Sequence, residues 1–221
     1  MAINSQTPVK IEVEGEDLEA VKLFTYLGSV ISHDSGSERD TQSRLGKACG
    51  AFCRLQSIWK SKQITIRTKV KLYNSNVKSV LLYGSECWRD TKKDMNKVEA
   101  FHNRCLRKLC NIYWPNKISN TRLYEMTGCR SIVQEIKQRR LRWLGHVLRM
   151  PAERVPKKAL RWTPPGKRKP GRPKTTWRRT ITKELEEMGL TWGTAQVTAQ
   201  DRDKWRCLTA ALCPTGDDEP K

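Results

Sequence analysis

Positive charge is concentrated in one stretch of the chain. Residues 137–179 contain sixteen Lys and Arg and a single acidic residue, Glu153, so a net charge of +15 falls within 43 positions. The first 33 residues hold two Lys and five acids, a net charge of −3. A run of one sign repels itself unless counter-ions or a polyanion neutralise it. The sequence therefore predicts a polyanionic partner, with nucleic acid preferred over an anionic membrane surface.

Length and composition fit a chain that folds inside the cell. The 221 residues have a net charge of +20 and suit one or two domains with a real core. No apolar run approaches the roughly 18–20 residues of a membrane span, and no signal peptide is recognisable. The eight cysteines include no CxxC pair, which favours reduced thiols. We expect an intracellular, nuclear protein without a membrane partner.

Hydrophobic periodicity predicts a mainly α fold with a short N-terminal β-hairpin. Residues 9–32 alternate as strands do, with a turn at Gly15-Glu16. From Ser37 onward apolar residues recur at helical spacing. The first predicted helix has a stripe of five apolar residues: Leu45, Cys49, Phe52, Leu55 and Trp59. A second helix follows Thr65 and ends near Gly84, and a third begins near Thr91. Three such helices in succession predict a small bundle.

The second half of the chain predicts further helices around a linker. A short helix runs from Ser119 to Thr127 and is closed by Gly128. The next begins at Ser131, where Gln134 has capping-box spacing, and stops at Pro151. Six prolines in residues 151–174 predict an extended linker. Two closing helices are predicted: Trp177 to Met188, with Gly189 after it, and about Gly193 to Leu212.

The segment KRKPGRPK, residues 167–174, is the most specific local motif. An Arg between Gly and Pro is extended and slim, and it can enter the narrow minor groove of A·T-rich DNA. The motif resembles an AT-hook, with Arg172 in the groove and flanking Lys on phosphates. The alternative is a basic, Pro-rich linker that binds any nucleic acid weakly.

The segment RRLRWLGH, residues 139–146, places basic residues around Trp143. Trp143 could stack on a base, but Leu144 and Val147 share its face, so a core position is favoured. The arginines keep a phosphate role under either interpretation. The predicted nucleic-acid-binding residues are Arg139, Arg140, Arg142, Lys167, Arg168, Lys169, Arg172, Lys174, Arg178 and Arg179.

A metal site is a weak alternative, and no catalytic motif is found. Cys87, His102, Cys105 and Cys110 could ligate zinc, because His102 and Cys105 are one helical turn apart. Without a paired-Cys knuckle, a core histidine beside buried thiols is favoured, and no metal or other cofactor is expected. No clustered carboxylates with rigid support are found for two-metal phosphoryl chemistry.

Six segments occur in one order that matches a known family. They are FTYLGSVIS, SVLLYGSECW, KVEAFHNRCLRKLCNIYW, RRLRWLGHVLRM, GRPKTTWRRT and DRDKWRCLTAALCP. Together they resemble the C-terminal half of the endonuclease–reverse transcriptase of non-LTR (LINE-type) retrotransposons, a family of RNA-directed DNA polymerases. The resemblance extends from about residue 8 to residue 214.

The resemblance implies a role for each part of the chain. Phe24, Tyr26, Leu27 and Gly28 correspond to the primer-grip region, and the three following helices resemble the thumb. The implied partners are DNA or an RNA–DNA hybrid, and element RNA. The implied segments are a post-palm hairpin (1–36), a thumb-like bundle (37–115), a basic helical segment (116–150), the Pro-rich linker with its AT-hook-like motif (151–174), a C-terminal helical pair (175–214) and an acidic tail (215–221).

One departure from the family bears on activity. The family's palm has a [YF]xDD motif whose aspartates bind Mg²⁺, and this sequence has no such motif. The family's YGCETW is YGSECW here, which moves the cysteine from position 85 to 87. We therefore expect a truncated, nucleic-acid-binding fragment that is not an enzyme on its own. The alternatives are a domesticated AT-hook-like DNA-binding protein, a non-functional remnant and a zinc-stabilised module.

A primer-extension assay tests the expectation about activity. Purified chain, supplied with Mg²⁺, an RNA template, a DNA primer and deoxynucleotides, should extend no primer above background, because the metal-binding carboxylates are missing. A reverse transcriptase run in parallel confirms that the substrates are competent. Template-dependent extension by this chain would contradict the expectation.

Overall fold

The computed structural model describes residues 11–32, 38–162 and 175–211. The chain divides into two compact units, Met1–Gly84 and Ser85–Lys221. The described residues are mainly helical, with short antiparallel strand pairs near the N-terminus, so the predicted fold class is confirmed.

Two β-hairpins open the N-terminal unit. Strand β1 (Glu12–Val13) pairs with β2 (Glu16–Asp17), and β3 (Leu23–Tyr26) pairs with β4 (Ser29–Ser32), both antiparallel. The turn of the second hairpin is Leu27-Gly28, with φ of 48° and 80°. The first hairpin turns at Glu14-Gly15, one residue before the predicted position, also with positive φ at both residues. Two central residues with positive φ are what a tight type I′ turn requires.

Helices complete the N-terminal unit. They are α1 (Glu38–Arg54), α2 (Gln56–Lys60), α3 (Ile66–Tyr73), a π-helical turn (Asn74–Lys78) and α4 (Ser79–Leu81). The hydroxyl of Thr65 accepts a hydrogen bond from Thr68 N at 3.2 Å, so the predicted start of the second helix is confirmed. Phe52 and Trp59 stack with ring centroids 5.2 Å apart, and both belong to the buried core.

The buried face of α1 differs from the predicted stripe. Cys49 is exposed, whereas Asp40, Arg44 and Ala48 are buried. The second hairpin lies against this helix, and Val30 N donates a hydrogen bond to Asp40 Oδ1 at 3.0 Å. This polar contact to the hairpin therefore helps to bury a face of α1 that the hydrophobic pattern does not predict. The predicted single helix also breaks at Leu55, so one stripe cannot continue in phase to Trp59.

The C-terminal unit begins with a 3₁₀ turn, Ser85–Cys87, and contains seven helices in its described residues. They are α5 (Lys92–Leu109), α6 (Asn120–Thr127), α7 (Ile132–Arg149), α8 (Val155–Arg161), α9 (Trp177–Glu187), α10 (Trp192–Thr198) and α11 (Arg202–Ala211). Thr91 and Ser119 cap α5 and α6 through their side chains, and Gly128 and Gly189 follow α6 and α9 with positive φ. The predicted boundaries at these positions are confirmed.

Helix α7 lies at the centre of this unit. It contacts the 3₁₀ turn, α5 and each of the helices α8–α11. Leu141, Leu144 and Leu148 on α7 form a core with residues of α9, α10 and α11. Trp205 of α11 lies over Gly145, and its indole N–H donates to Leu141 O at 3.0 Å. A Cβ atom at Gly145 would lie 2.2 Å from Nε1 of Trp205, so only glycine permits this approach.

Three predicted features of the C-terminal unit are wrong. Residues 155–161 of the predicted extended linker form α8, because Pro156 is tolerated in the first turn of a helix. The predicted last helix is two helices, α10 and α11, and Asp201 Oδ1 accepts from Lys204 N at the start of the second. Ser131 makes no capping hydrogen bond, and its hydroxyl donates to Glu99 Oε1 at 3.1 Å instead.

Replacing Gly145 by alanine tests the packing of Trp205 on α7. We expect Gly145→Ala to lower the free energy of unfolding by about 1–3 kcal/mol or more, because the added methyl group forces the indole away from its hydrogen bond. Gly193→Ala is the matched control: its Cβ meets nothing closer than Thr191 Oγ1 at 3.8 Å. The control should keep stability or raise it by up to about 1 kcal/mol. Equal denaturation midpoints for Gly145→Ala and the wild type would contradict the packing.

Candidate nucleic-acid interface

An open depression of about 500 Å³ lies beside α7 in the C-terminal unit. We call it the α7 depression; α7 supplies most of its wall, including Arg139, Arg142, Trp143 and His146. Arg130, before α7, and Glu86, in the 3₁₀ turn, also line it. The site therefore combines cations, carboxylates and aromatic rings.

Trp143 is half-buried and lines the α7 depression, so the favoured core position is wrong. Successive residues of a helix differ by about 100° in direction. Leu144 therefore takes the fully buried position in the core, whereas Trp143 is turned away from it and is only partly buried. The rings of Trp143 and His146 are 5.5 Å apart between centroids and are tilted by 47°.

Arg140 does not belong to the exposed surface. It is 1% exposed, and its guanidinium forms an ion pair with Glu184 of α9. A buried and paired cation cannot reach a phosphate, so Arg140 is removed from the predicted binding set. Within the charge run, sequence alone could not separate Arg140 from Arg142, whose side chain is exposed.

Burial raises the pKa of Glu184 to about 7, although Arg140 and Lys137 favour its charged form. The pair is incompletely hydrogen-bonded, because Glu184 Oε2 and Arg140 Nε are both buried without a partner. Incomplete hydrogen bonding limits how far an ion pair offsets the cost of removing a carboxylate from water. The neighbouring pair Lys137–Glu187 joins the same two helices at their half-exposed side.

Three other predicted arginines lie at least partly at the surface. Arg139 is half-buried and lies 3.8 Å from Glu135 across one helical turn. Arg178 and Arg179 are exposed in the first turn of α9, and Arg178 lies over the ring of Trp192 at 5.6 Å. The remaining predicted residues, in the AT-hook-like motif, lie outside the described residues: Lys167, Arg168, Lys169, Arg172 and Lys174.

A second depression, of about 590 Å³, contains basic residues that sequence reasoning missed. Lys158, Arg161 and the exposed Trp162 line it at the end of α8. Lys157 is buried there and donates to Leu148 O, and burial lowers the pKa of its amine. The sequence signal is VPKKALRW, in which Pro156 lies in the first turn of a helix and not in a linker.

The residues that resemble a primer grip lie on the second hairpin of the N-terminal unit. Phe24 and Tyr26 are about half exposed, with ring centroids 6.5 Å apart, and Leu27 at the turn is 72% exposed. Gly28 O accepts a hydrogen bond from the Lys47 amine at 3.0 Å. The hairpin therefore presents its aromatic and aliphatic side chains to solvent.

The four residues of the zinc alternative do not form a site. Cys87 is exposed in the 3₁₀ turn, whereas His102 and Cys105 are buried on α5, and Cys110 follows its end. Across the described ranges, no three His, Cys, Asp or Glu side chains come together as a metal site. In the same ranges, no helix has both the length and the apolar character needed to cross a bilayer.

The fold and this surface define a class of protein: a mainly helical chain whose C-terminal unit exposes basic and aromatic side chains together. The chain is 28% identical over 200 residues to an uncharacterised transposon-derived protein of Caenorhabditis elegans, an alignment that covers 85% of this chain and 70% of the relative. A family model described as a domain of unknown function, DUF6451, matches residues 51–83. No solved structure matches the chain. The similarity to the nematode protein indicates a transposon-related origin.

The raised pKa of Glu184 predicts a pH dependence of stability. Between pH 4.5 and about 7, the folded unit retains a proton that the unfolded chain has released. The free energy of unfolding should therefore fall as pH rises through this window, by roughly 1–3 kcal/mol. Denaturant unfolding at a series of pH values measures the change. Glu184→Gln removes the titrating group, so the free energy of unfolding of this variant should lack this fall between pH 4.5 and about 7. Parallel profiles for variant and wild type would contradict the assignment.

Proposed function

We propose that the C-terminal unit binds nucleic acid through phosphate contacts made by exposed cations of α7, α8 and α9. The observation that carries the proposal is the retention of these cations at the surface, with one acidic residue in the whole run of residues 137–179. In the described part of the run, the exposed cations are Arg142, Arg154, Lys158, Arg161, Arg178 and Arg179. A phosphate backbone neutralises such a surface and releases counter-ions, which favours binding.

The start of α9 supports an anionic partner. Arg178 and Arg179 lie in its first turn, which contains no acidic residue. The N-terminal end of a helix has a partial positive charge, so cations in this position destabilise the free protein. A bound phosphate would interact favourably with both the side chains and the helix end. The cost to folding is thus compensated when an anion binds.

The transposon-related origin supports a more specific form of the proposal. The ordered motifs resemble the part of the non-LTR reverse transcriptase that follows the polymerase palm, which supports this form of the proposal. In this proposal the fragment holds DNA, an RNA–DNA hybrid or element RNA, and lacks polymerase activity of its own. The partner is a nucleic acid inside the cell, and the nucleus is the proposed location.

A domesticated DNA-binding role is the second candidate, and the motif KRKPGRPK is the observation that favours it. Insertion of Arg172 into a narrow minor groove would give a preference for A·T-rich duplex. Phosphate contacts alone would give no preference for A·T-rich duplex. A comparison of duplexes therefore separates the two candidates.

Salt titrations of binding test the proposal. Wild-type protein should bind A·T-rich DNA, mixed-sequence DNA and an RNA–DNA hybrid, each with an affinity that falls steeply with salt. Lys158→Ala and Arg179→Ala should each weaken binding to all three and reduce the slope of log K against log salt by about 1, for one lost phosphate contact. Fluorescence anisotropy with labelled duplexes measures both quantities.

Arg122→Ala is the charge-matched control. Arg122 is exposed on α6 and already pairs with Glu125 at 3.0 Å, so its loss should leave the slope unchanged. An equal effect of all three variants would show that net charge alone matters. No binding near physiological salt would contradict the proposal and favour a non-functional remnant. A strong A·T preference that Arg172→Ala abolishes would favour the second candidate.

A further inference from the structure

The lining of the α7 depression does not match a phosphate alone. Arg142 and the half-buried Glu86 line the depression together, and Arg139 pairs there with Glu135 at 3.8 Å. Carboxylates repel phosphate, but they accept hydrogen bonds from the amino groups of bases, and arginines donate to base carbonyls and ring nitrogens. An occupant that offers both donors and acceptors fits this mixture better than an anion does.

Trp143 supplies the surface on which a planar occupant can stack. Its side chain is half-buried and lines the depression. The ring of His146 is tilted by 47° to it, so the two rings do not stack in parallel. The volume of about 500 Å³ is within the range of small-molecule sites.

Hydrogen bonds hold two of the side chains that line the α7 depression in place. Gln138 is 2% exposed, and its Oε1 accepts from Arg130 Nη2 at 2.7 Å. Its Nε2 lies 3.5 Å from Thr209 O on α11. Arg130 is thus held at the wall by a buried side chain that is itself held by another helix. Fixed polar groups of this kind lower the ordering cost of binding.

One hydrogen bond connects the depression with the cations of α9. The indole N–H of Trp177 donates to Glu86 O at 2.7 Å, and Glu86 lines the depression. Arg178 and Arg179 follow Trp177 directly. A strand whose phosphates contact the start of α9 is therefore near the depression.

We propose that the α7 depression binds an unpaired nucleobase, stacked on Trp143, of a strand whose phosphates contact the surrounding cations. This inference rests on the proposed nucleic-acid binding and specifies its substrate class. In a regular duplex both faces of a base are covered by its neighbours, so the site requires single-stranded or locally opened nucleic acid. We therefore expect the site to prefer a single strand to a fully paired duplex.

An abasic strand separates base stacking from phosphate contact. The probes are a short, labelled DNA single strand of mixed sequence and a strand of equal length and charge whose sugars have no bases. Wild-type protein should bind the normal strand more tightly, because base stacking on an aromatic side chain is worth about 1–3 kcal/mol, or roughly 5- to 150-fold in affinity. Both strands should show the same salt dependence.

Variants of Trp143 identify the stacking surface. Trp143→Ala should lose most of the difference between the two strands and keep its affinity for the abasic strand, whereas Trp143→Phe should keep most of the difference. Trp114→Ala is the matched control: Trp114 is 84% exposed in the same unit and lines none of the depressions described above. It should behave as the wild type does. Thermal melting checks that each variant folds.

The outcomes distinguish this inference from the proposed function. Equal binding of normal and abasic strands by the wild type, a comparison that needs no variant, would overturn base stacking and leave phosphate binding in place. Loss of the difference in Trp114→Ala but not in Trp143→Ala would also overturn it. Failure of the wild type to bind either strand at low salt would contradict the proposed function itself.

Discussion

The buried ion pair between Arg140 and Glu184 connects helices α7 and α9 of the C-terminal unit. Arg140 is in the middle of α7, and Glu184 is on α9, so the pair holds the helices together across the core. Removing either side chain would be strongly destabilising, because the other would be left buried without its hydrogen-bond partner. The pair therefore fixes which face of α7 is internal. The arginines on its other faces remain at the surface, where they can meet a partner.

Helix α7 serves two purposes on two faces. Its leucines complete the core with α9, α10 and α11, while Arg142 and Trp143 lie at the α7 depression. An exposed basic helix is not stable in isolation, and most of its stability comes from packing of its apolar face. The burial of Leu141 and Leu144 thus stabilises α7 against the repulsion between its exposed charges.

Local signals were sufficient to predict most of the fold. Thr91, Ser119, Gly128 and Gly189 mark helix ends because caps and left-handed residues act within a few positions of the chain. Signals from distant residues were not available to sequence reasoning. The hydroxyl of Ser131 binds Glu99, 32 positions earlier, and the partner of Arg140 is 44 positions later. For the same reason, the sequence predicts a basic surface on α7, but it does not show which arginine is buried or that Trp143 lines the depression.

The contact between Gly145 and Trp205 has a consequence for the history of related chains. The two positions are far apart in sequence, yet a larger residue at the first is tolerated only with a smaller one at the second. Copies of a transposable element that have lost their role accumulate substitutions at each position separately. Joint retention or joint replacement of this glycine and tryptophan among copies would therefore record natural selection on the folded C-terminal unit.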